Sequence, residues 1–248
     1  MYMMEISVTF LLTGCLIQGV FCDLINLPER VEALEGSCVF IPCTFDIKQD
    51  FKKDLTDSAK RIWYKDGSPP TVVFNSSHPP TGPLRGEIFG TPTKKNCTTR
   101  FDNVEQKDKG SYFFRLETSG VLKHSYRKPE DLVHISIIDS PPKPTVSLFE
   151  DQQKVTKETE VKEGSSVNLR CSTKIFCSSR PAVLTWSSSP EHLLKESVTQ
   201  QRQSETELIS DLIFTVTHRH HLATFTCTVT HQLQQNITKQ ESRKLRVQ

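Results

Sequence analysis

Residues 108–117 read "DKGSYFFRLE". The run D-x-G-x-Y-x-C marks one strand of an antiparallel two-sheet sandwich. Its tyrosine closes a corner, and the cysteine two residues later clamps the sheets together. Asp108, Gly110 and Tyr112 fill their places here, but position 114 is Phe114. The next residue is a cation, Arg115. The run therefore predicts a sandwich strand that has lost its sulfur bridge and gained an arginine beside the gap.

Working outward, short alternating runs recur along the chain: "SCVFIPCTF", "RIWYK", "TVVFN" and "DLVHISI", then "SVNLRC", "AVLTWS", "LISDLIFTV" and "TFTCTVT". They are rich in β-branched and aromatic residues and are separated by turn formers, which reads as all-β with packed sheets. No long stretch carries helical periodicity with caps at both ends. In the second half Cys171, Trp186 and Cys227 follow one another in the Cys–Trp–Cys order of an immunoglobulin sandwich. From Cys171 to Cys227 is a step of 56 positions, which suits a seven-strand, constant-like domain. In the first half 71 positions separate Cys43 from Phe114, room for the added C′ and C″ strands of a variable-type domain, with "TVVFNSS" as C′. The segment "DSPPKP", residues 139–144, has three prolines that cannot continue a central strand, so it marks a stiff boundary. The expected fold is all-β, two tandem immunoglobulin-like sandwiches. A V-set domain spans 23–138, the linker 139–144, and a C2 or constant-like domain 145–248.

Residues 6–22 are apolar or small and uncharged, and residues 1–22 read as a secretory signal peptide. The whole chain has 31 Lys and Arg against 29 Asp and Glu. Losing Glu5 with the leader moves the net charge from +2 to +3, no electrostatic footprint for nucleic acid. Of eight cysteines, Cys15 and Cys22 fall in or at the edge of the leader, and an even six remain, as a disulfide framework requires. Sequons at Asn75, Asn96 and Asn236 predict surface glycosylation. The expected setting is extracellular. No membrane anchor follows "SRKLRVQ", so the chain is expected to be either secreted or the truncated ectodomain of a type I cell-surface protein.

Six cysteines allow 15 pairings. Cys171 with Cys227 follows from the immunoglobulin pattern. In the first domain Val39, Ile41 and Cys43 share one strand face. Cys97, Thr99 and Phe101 share another, on a run that reads as strand E. Strands B and E are neighbours, and opposed Cα atoms about 4.5 to 5.5 Å apart are within disulfide reach. Cys43 is therefore expected to bond Cys97 within one sheet, leaving Phe114 to fill the core. Cys38, at the A–B turn, and Cys177, at the B–C turn of the second domain, fall at the same junction and are expected to pair across the domains.

Along the strand at 108–117, Tyr112 and Phe114 share the inward face, so Phe113 and Arg115 point out. A guanidinium there is a planar fork suited to a carboxylate. It is expected to stand unpaired on open β-surface. The plainer reading is a solvated arginine paired with a neighbouring acid such as Glu117, and a guanidinium locked to such a carboxylate is the outcome expected to sink the lectin reading. Arg85 is expected to pair with Asp108 structurally.

Together "EGSCVFIPCTF", "IWYKDGSPPTVVFNSS", "NCTTRF" and "GSYFFRLE" resemble the first domain of the Siglecs, the sialic-acid-binding immunoglobulin-like lectins, and the resemblance covers both domains, 23–248. Siglecs share a displaced B–E disulfide, an interdomain disulfide and an arginine on strand F. The resemblance implies that Arg115 pairs with the sialic acid carboxylate. It also implies that strand G, here "LKHSYR", supplies Lys123, His124 and Ser125 to the other arms of the sugar, with Tyr126 as the nearest aromatic. The family places another aromatic on strand A; "DLINLPERVEALEGS" has none.

The implied function is lectin-type adhesion or recognition, with sialylated glycans on glycoproteins or glycolipids as partners. The alternative is an adhesion or immune receptor domain that binds a protein through the same face without sugar recognition. No nucleophile elbow or phosphate loop suggests an enzyme, and no cofactor or metal is expected. The run "HRHH", His218 to His221, reads as a solvated E–F turn with no carboxylate to support a metal.

Overall fold

The computed structural model describes residues 24–77, 80–155, 160–204, 206–233 and 235–248. The expected signal peptide lies outside them. The chain divides into two compact units, one up to Ile137 and one from Ile138.

The first unit has strands β1 (Ile25–Asn26), β2 (Arg30–Leu34), β3 (Val39–Ile41), β4 (Thr44–Phe45), β5 (Lys60–Lys65), β6 (Thr71–Asn75), β7 (Arg85–Ile88), β8 (Thr99–Asp102), β9 (Gly110–Glu117), β10 (Lys123–Tyr126) and β11 (Val133–Ile138). One sheet runs β2-β11-β9-β5-β6, with β10 also on β9. The other runs β3-β8-β7, and β1 pairs with β4. In immunoglobulin terms these are an A′GFCC′ sheet and a BED sheet. C′ is β6. Beyond it the expected C″ is reduced to a bridge: Thr81 pairs with Asn75, and the Leu84 amide donates to the Val73 carbonyl.

The alternation read in "SYFFRLE" sets the core. Tyr112, Phe114 and Leu116 are fully buried and belong to the core cluster with Trp63, Phe101 and Phe45. The Tyr112 hydroxyl donates to the Asp108 carbonyl, closing the tyrosine corner. Burial raises its pKa above the usual phenol value. Phe114 lies 5.5 Å from Trp63 edge-on and 5.5 Å from Phe45 in a stack, a geometry that adds about 0.5–1.5 kcal/mol per pair beyond burial. The Trp63 indole donates to Thr99 Oγ1 at 2.8 Å. An aromatic cage thus occupies the space where an intersheet sulfur pair would sit.

The bridge has moved into one sheet. Cys43 and Cys97 are bonded with Cα atoms 4.8 Å apart, and the Cys97 amide donates to the Cys43 carbonyl. No described cysteine is free. The expected Arg85–Asp108 pair does not form. Asp108 instead accepts the Glu105 amide at 2.9 Å and caps a short 3-10 turn, while Arg85 is exposed on β7 opposite Asp102.

The second unit has β12 (Thr145–Glu150), β13 (Gln153–Val155), β14 (Ser166–Lys174), β15 (Val183–Ser189), β16 (Val198–Gln203), β17 (Glu207–Thr215), β18 (Thr224–His231) and β19 (Ile237–Lys244). Its sheets are β13-β12-β14-β17-β16 and β15-β18-β19, the ABED and CFG arrangement of a constant-type sandwich. Here Cys171 and Cys227 do bridge the two sheets, with Cα atoms 6.3 Å apart. Trp186 donates to Ser210 Oγ at 3.1 Å. The histidine run forms a 3-10 turn, His218–His220. His220 is not solvated: it is 1% exposed and stacks on Phe214 at 4.8 Å. A carboxylate also does lie beside the run, Glu163, 3.4 Å from His218 Nδ1.

Candidate functional site on the outer face of β9

Cross-strand partners in a sheet share a face, so the register of β9 lists what surrounds Arg115. Lys60, Glu117 and Lys123 form one row. Asn75, Ile62, Arg115 and Ser125 form the next. Tyr64 and Phe113 follow, with Val72 beyond Tyr64. Ile62 and Phe113 are buried but lie outside the core cluster, as residues covered on the outer face should. Phe113 stacks on Tyr64, with ring centroids 5.1 Å apart and planes 6° apart. The Arg127 guanidinium covers it at 5.0 Å and bonds Asp66.

Arg115 faces outward, as its parity requires, but it is not unpaired. Its Nε donates to Glu117 Oε1 at 2.8 Å and its Nη1 to Ser125 Oγ at 2.7 Å. Both are consequences of period two: Glu117 follows by two residues on the same strand, and Ser125 is directly opposite. The Arg115 and Glu117 side chains are each 25% exposed. Nη2 makes no hydrogen bond among the described residues. Three cations, Lys60, Arg115 and Lys123, thus surround the one carboxylate of these two rows. Lys60 and Lys123 are exposed. Lys60 was not singled out from the sequence, although its place four residues before Tyr64 in "KRIWYK" gives it the outward parity.

The strand-G residues separate by the same rule. Lys123 and Ser125 share the outer face with Arg115. Tyr126 is a correction: it is 1% exposed, stacks toward Phe114 at 6.1 Å, and donates its hydroxyl to the Asp46 carbonyl at 2.6 Å. It is a core residue and no sugar can reach its ring. His124 shares its parity and lies 4.5 Å from its ring, edge to face.

Residues 150–237 match the model of a CD80-like C2-set immunoglobulin domain. The chain is 29% identical to chimpanzee sialic acid-binding Ig-like lectin 13 over 74% of its own length and 46% of that protein. It is 26% identical to mouse sialic acid-binding Ig-like lectin 12, covering 83% of this chain and 42% of the relative. It is also 26% identical to human myelin-associated glycoprotein, over 64% of this chain and 24% of the relative. The chain thus spans less than half the length of these relatives. The matches support membership of the Siglec family.

Proposed function

We propose that this chain, a relative of the sialic-acid-binding immunoglobulin-like lectins, recognises terminal sialic acid on the outer face of β9 through Arg115. The observation that carries this reading is the excess of cations in two adjacent rows, Lys60, Lys123 and Arg115 around Glu117 alone. A carboxylate-bearing ligand complements it. The Arg115–Glu117 pair is the lock expected to sink this reading, and its magnitude decides whether it does. A partly exposed ion pair contributes about 0–1 kcal/mol. A charge-assisted hydrogen bond to a ligand contributes roughly 1.5–3 kcal/mol. An acidic sugar can therefore displace Glu117 or use the Nη edge of the guanidinium at a net gain. The result is a weak site, at about −4 kcal/mol or millimolar, which works in adhesion only as an array of copies.

Lys123 and Ser125 complete the site in this reading, with His124 contributing its backbone. The proposed setting is the cell exterior. Arg115→Ala should abolish binding of the recombinant protein to a sialylated glycan array without changing its unfolding transition. Arg115→Lys should lose most of it, because an ammonium lacks the fork. Unchanged binding by either variant would refute the assignment.

The Glu117 lock favours a second reading, an immunoglobulin-type adhesion domain that binds a protein through the same face. The apolar neighbours Val72 and Tyr64 suit such a partner. Sialidase treatment of target cells separates the two: lectin binding vanishes and protein binding persists.

A further inference from the structure

The row that holds Arg115 also holds a sequon. Asn75 is the last residue of β6, directly opposite Ile62, which is itself opposite Arg115. All three therefore project from one face of the sheet. Two strand spacings of roughly 4.8 Å separate the Asn75 and Arg115 backbones. The Asn75 side chain is held in a turn: its Oδ1 accepts the Ser77 amide at 3.1 Å and the Ser77 hydroxyl at 2.9 Å. Those two bonds use the carbonyl end. The Nδ2 end carries none among the described residues and is not a buried orphan. β6 is the last strand of its sheet, with Thr81 bridged to the Asn75 backbone along its outer edge.

Asn96 is placed differently. Its Oδ1 is tied to the Thr98 amide at 2.8 Å, and the Thr98 hydroxyl is engaged by the Cys43 backbone. Its side chain also packs against Gly90, where even a Cβ would come within 3.0 Å. That sequon lies beside the displaced disulfide, away from the β9 face.

We propose that Asn75 carries an N-linked glycan that stands over the Arg115 row and limits access of acidic saccharides to the guanidinium. In the modification, Asn75 Nδ2 bonds the anomeric carbon of a lipid-linked diphosphate oligosaccharide. The bond from that carbon to the diphosphate oxygen breaks, the lipid diphosphate leaves with the electron pair, and one Nδ2 proton passes to the transferase. The product hangs a bulky polar chain two strands from Arg115 on the same surface. If it covers the site nine-tenths of the time, apparent affinity falls about tenfold, in proportion to the open fraction. The identity of the masked ligand rests on the sialic acid reading above; the masking itself does not.

The test uses the protein secreted from glycosylating eukaryotic cells, as wild type, Ser77→Ala and Ser77→Thr. Peptide mass spectrometry should find glycan on Asn75 in wild type and Ser77→Thr and none in Ser77→Ala; an unmodified Asn75 in wild type overturns the proposal. An arginine-selective dicarbonyl reagent should then modify Arg115 several-fold faster in Ser77→Ala, and in wild type trimmed with an endoglycosidase, than in untrimmed wild type or Ser77→Thr. Equal rates overturn the proposal without any reference to ligand. Binding to a multivalent sialylated polymer should rise about tenfold in the same two glycan-free samples. If the reagent rates differ as expected but no sample binds the polymer, masking stands and the sialic acid reading fails.

Discussion

Arg115 and Glu117 meet because strand side chains repeat every two residues, and "RLE" puts opposite charges on one face. The same period that exposes the guanidinium supplies its competitor. Glu117→Gln removes the charge while keeping the shape. It should strengthen binding to a sialylated polymer several-fold, since the carboxylate it removes competes for the Nε edge with about 0–1 kcal/mol. A surface-plasmon titration checks this. Weaker binding by Glu117→Gln would mean that the carboxylate positions Arg115 rather than blocking it. At the same scale Tyr126 shows how one residue of register decides between core and surface: Ser125 faces solvent and its neighbour is 1% exposed.

At the scale of elements, the E–F turn of the second unit carries a pH dependence. His220 stacks on Phe214 at 4.8 Å, and Phe214 in turn stacks on Phe225. Its Nδ1 accepts the Thr217 amide at 3.0 Å, and its Nε2 is buried without a partner. Burial lowers its pKa below 6.5, outweighing the Thr217 contact and Glu196, which both raise it. His231, at the end of β18, is lowered by burial as well. At pH 7 both are therefore neutral in the fold. Below about pH 6.5 the unfolded chain takes up protons that the folded one resists, so stability is lost as pH falls, by at most about 1.4 kcal/mol per pH unit for each group. Calorimetry should show the transition of this unit falling by several degrees between pH 7.5 and 5.5, at roughly 4–8 °C per kcal/mol. His220→Gln should flatten that slope while lowering stability at pH 7.5; an unchanged slope would exclude His220 as its source.

Across the whole molecule, two sandwiches solve the same packing problem differently. In the second, Cys171 and Cys227 span the sheets with Trp186 beside them. In the first, Phe114 takes that space and the bridge runs from Cys43 to Cys97 inside one sheet. We propose that the other two described cysteines, Cys38 and Cys177, pair with each other. Proteolysis under non-reducing conditions should release one cross-linked species containing both residues. Recovering either in a peptide bonded to a different cysteine would disprove the pairing.

The all-β class, the tandem sandwiches, the C and C′ strands and the Cys43–Cys97 bond were legible in the chain, because a period of two and cysteine parity are local properties that survive folding. So was the outward direction of Arg115. What local pattern could not supply was who stands opposite. The pairing of Arg115 with Ser125, the burial of Tyr126, the cap that takes Asp108 from Arg85, and the meeting of Lys60, Lys123 and Asn75 on one face all depend on register between strands distant in sequence. Register is decided by how the two sheets close over Trp63 and Phe114, and only the tertiary structure decides that, because each strand's hydrogen bonds are satisfied equally well by several alignments until the core selects one.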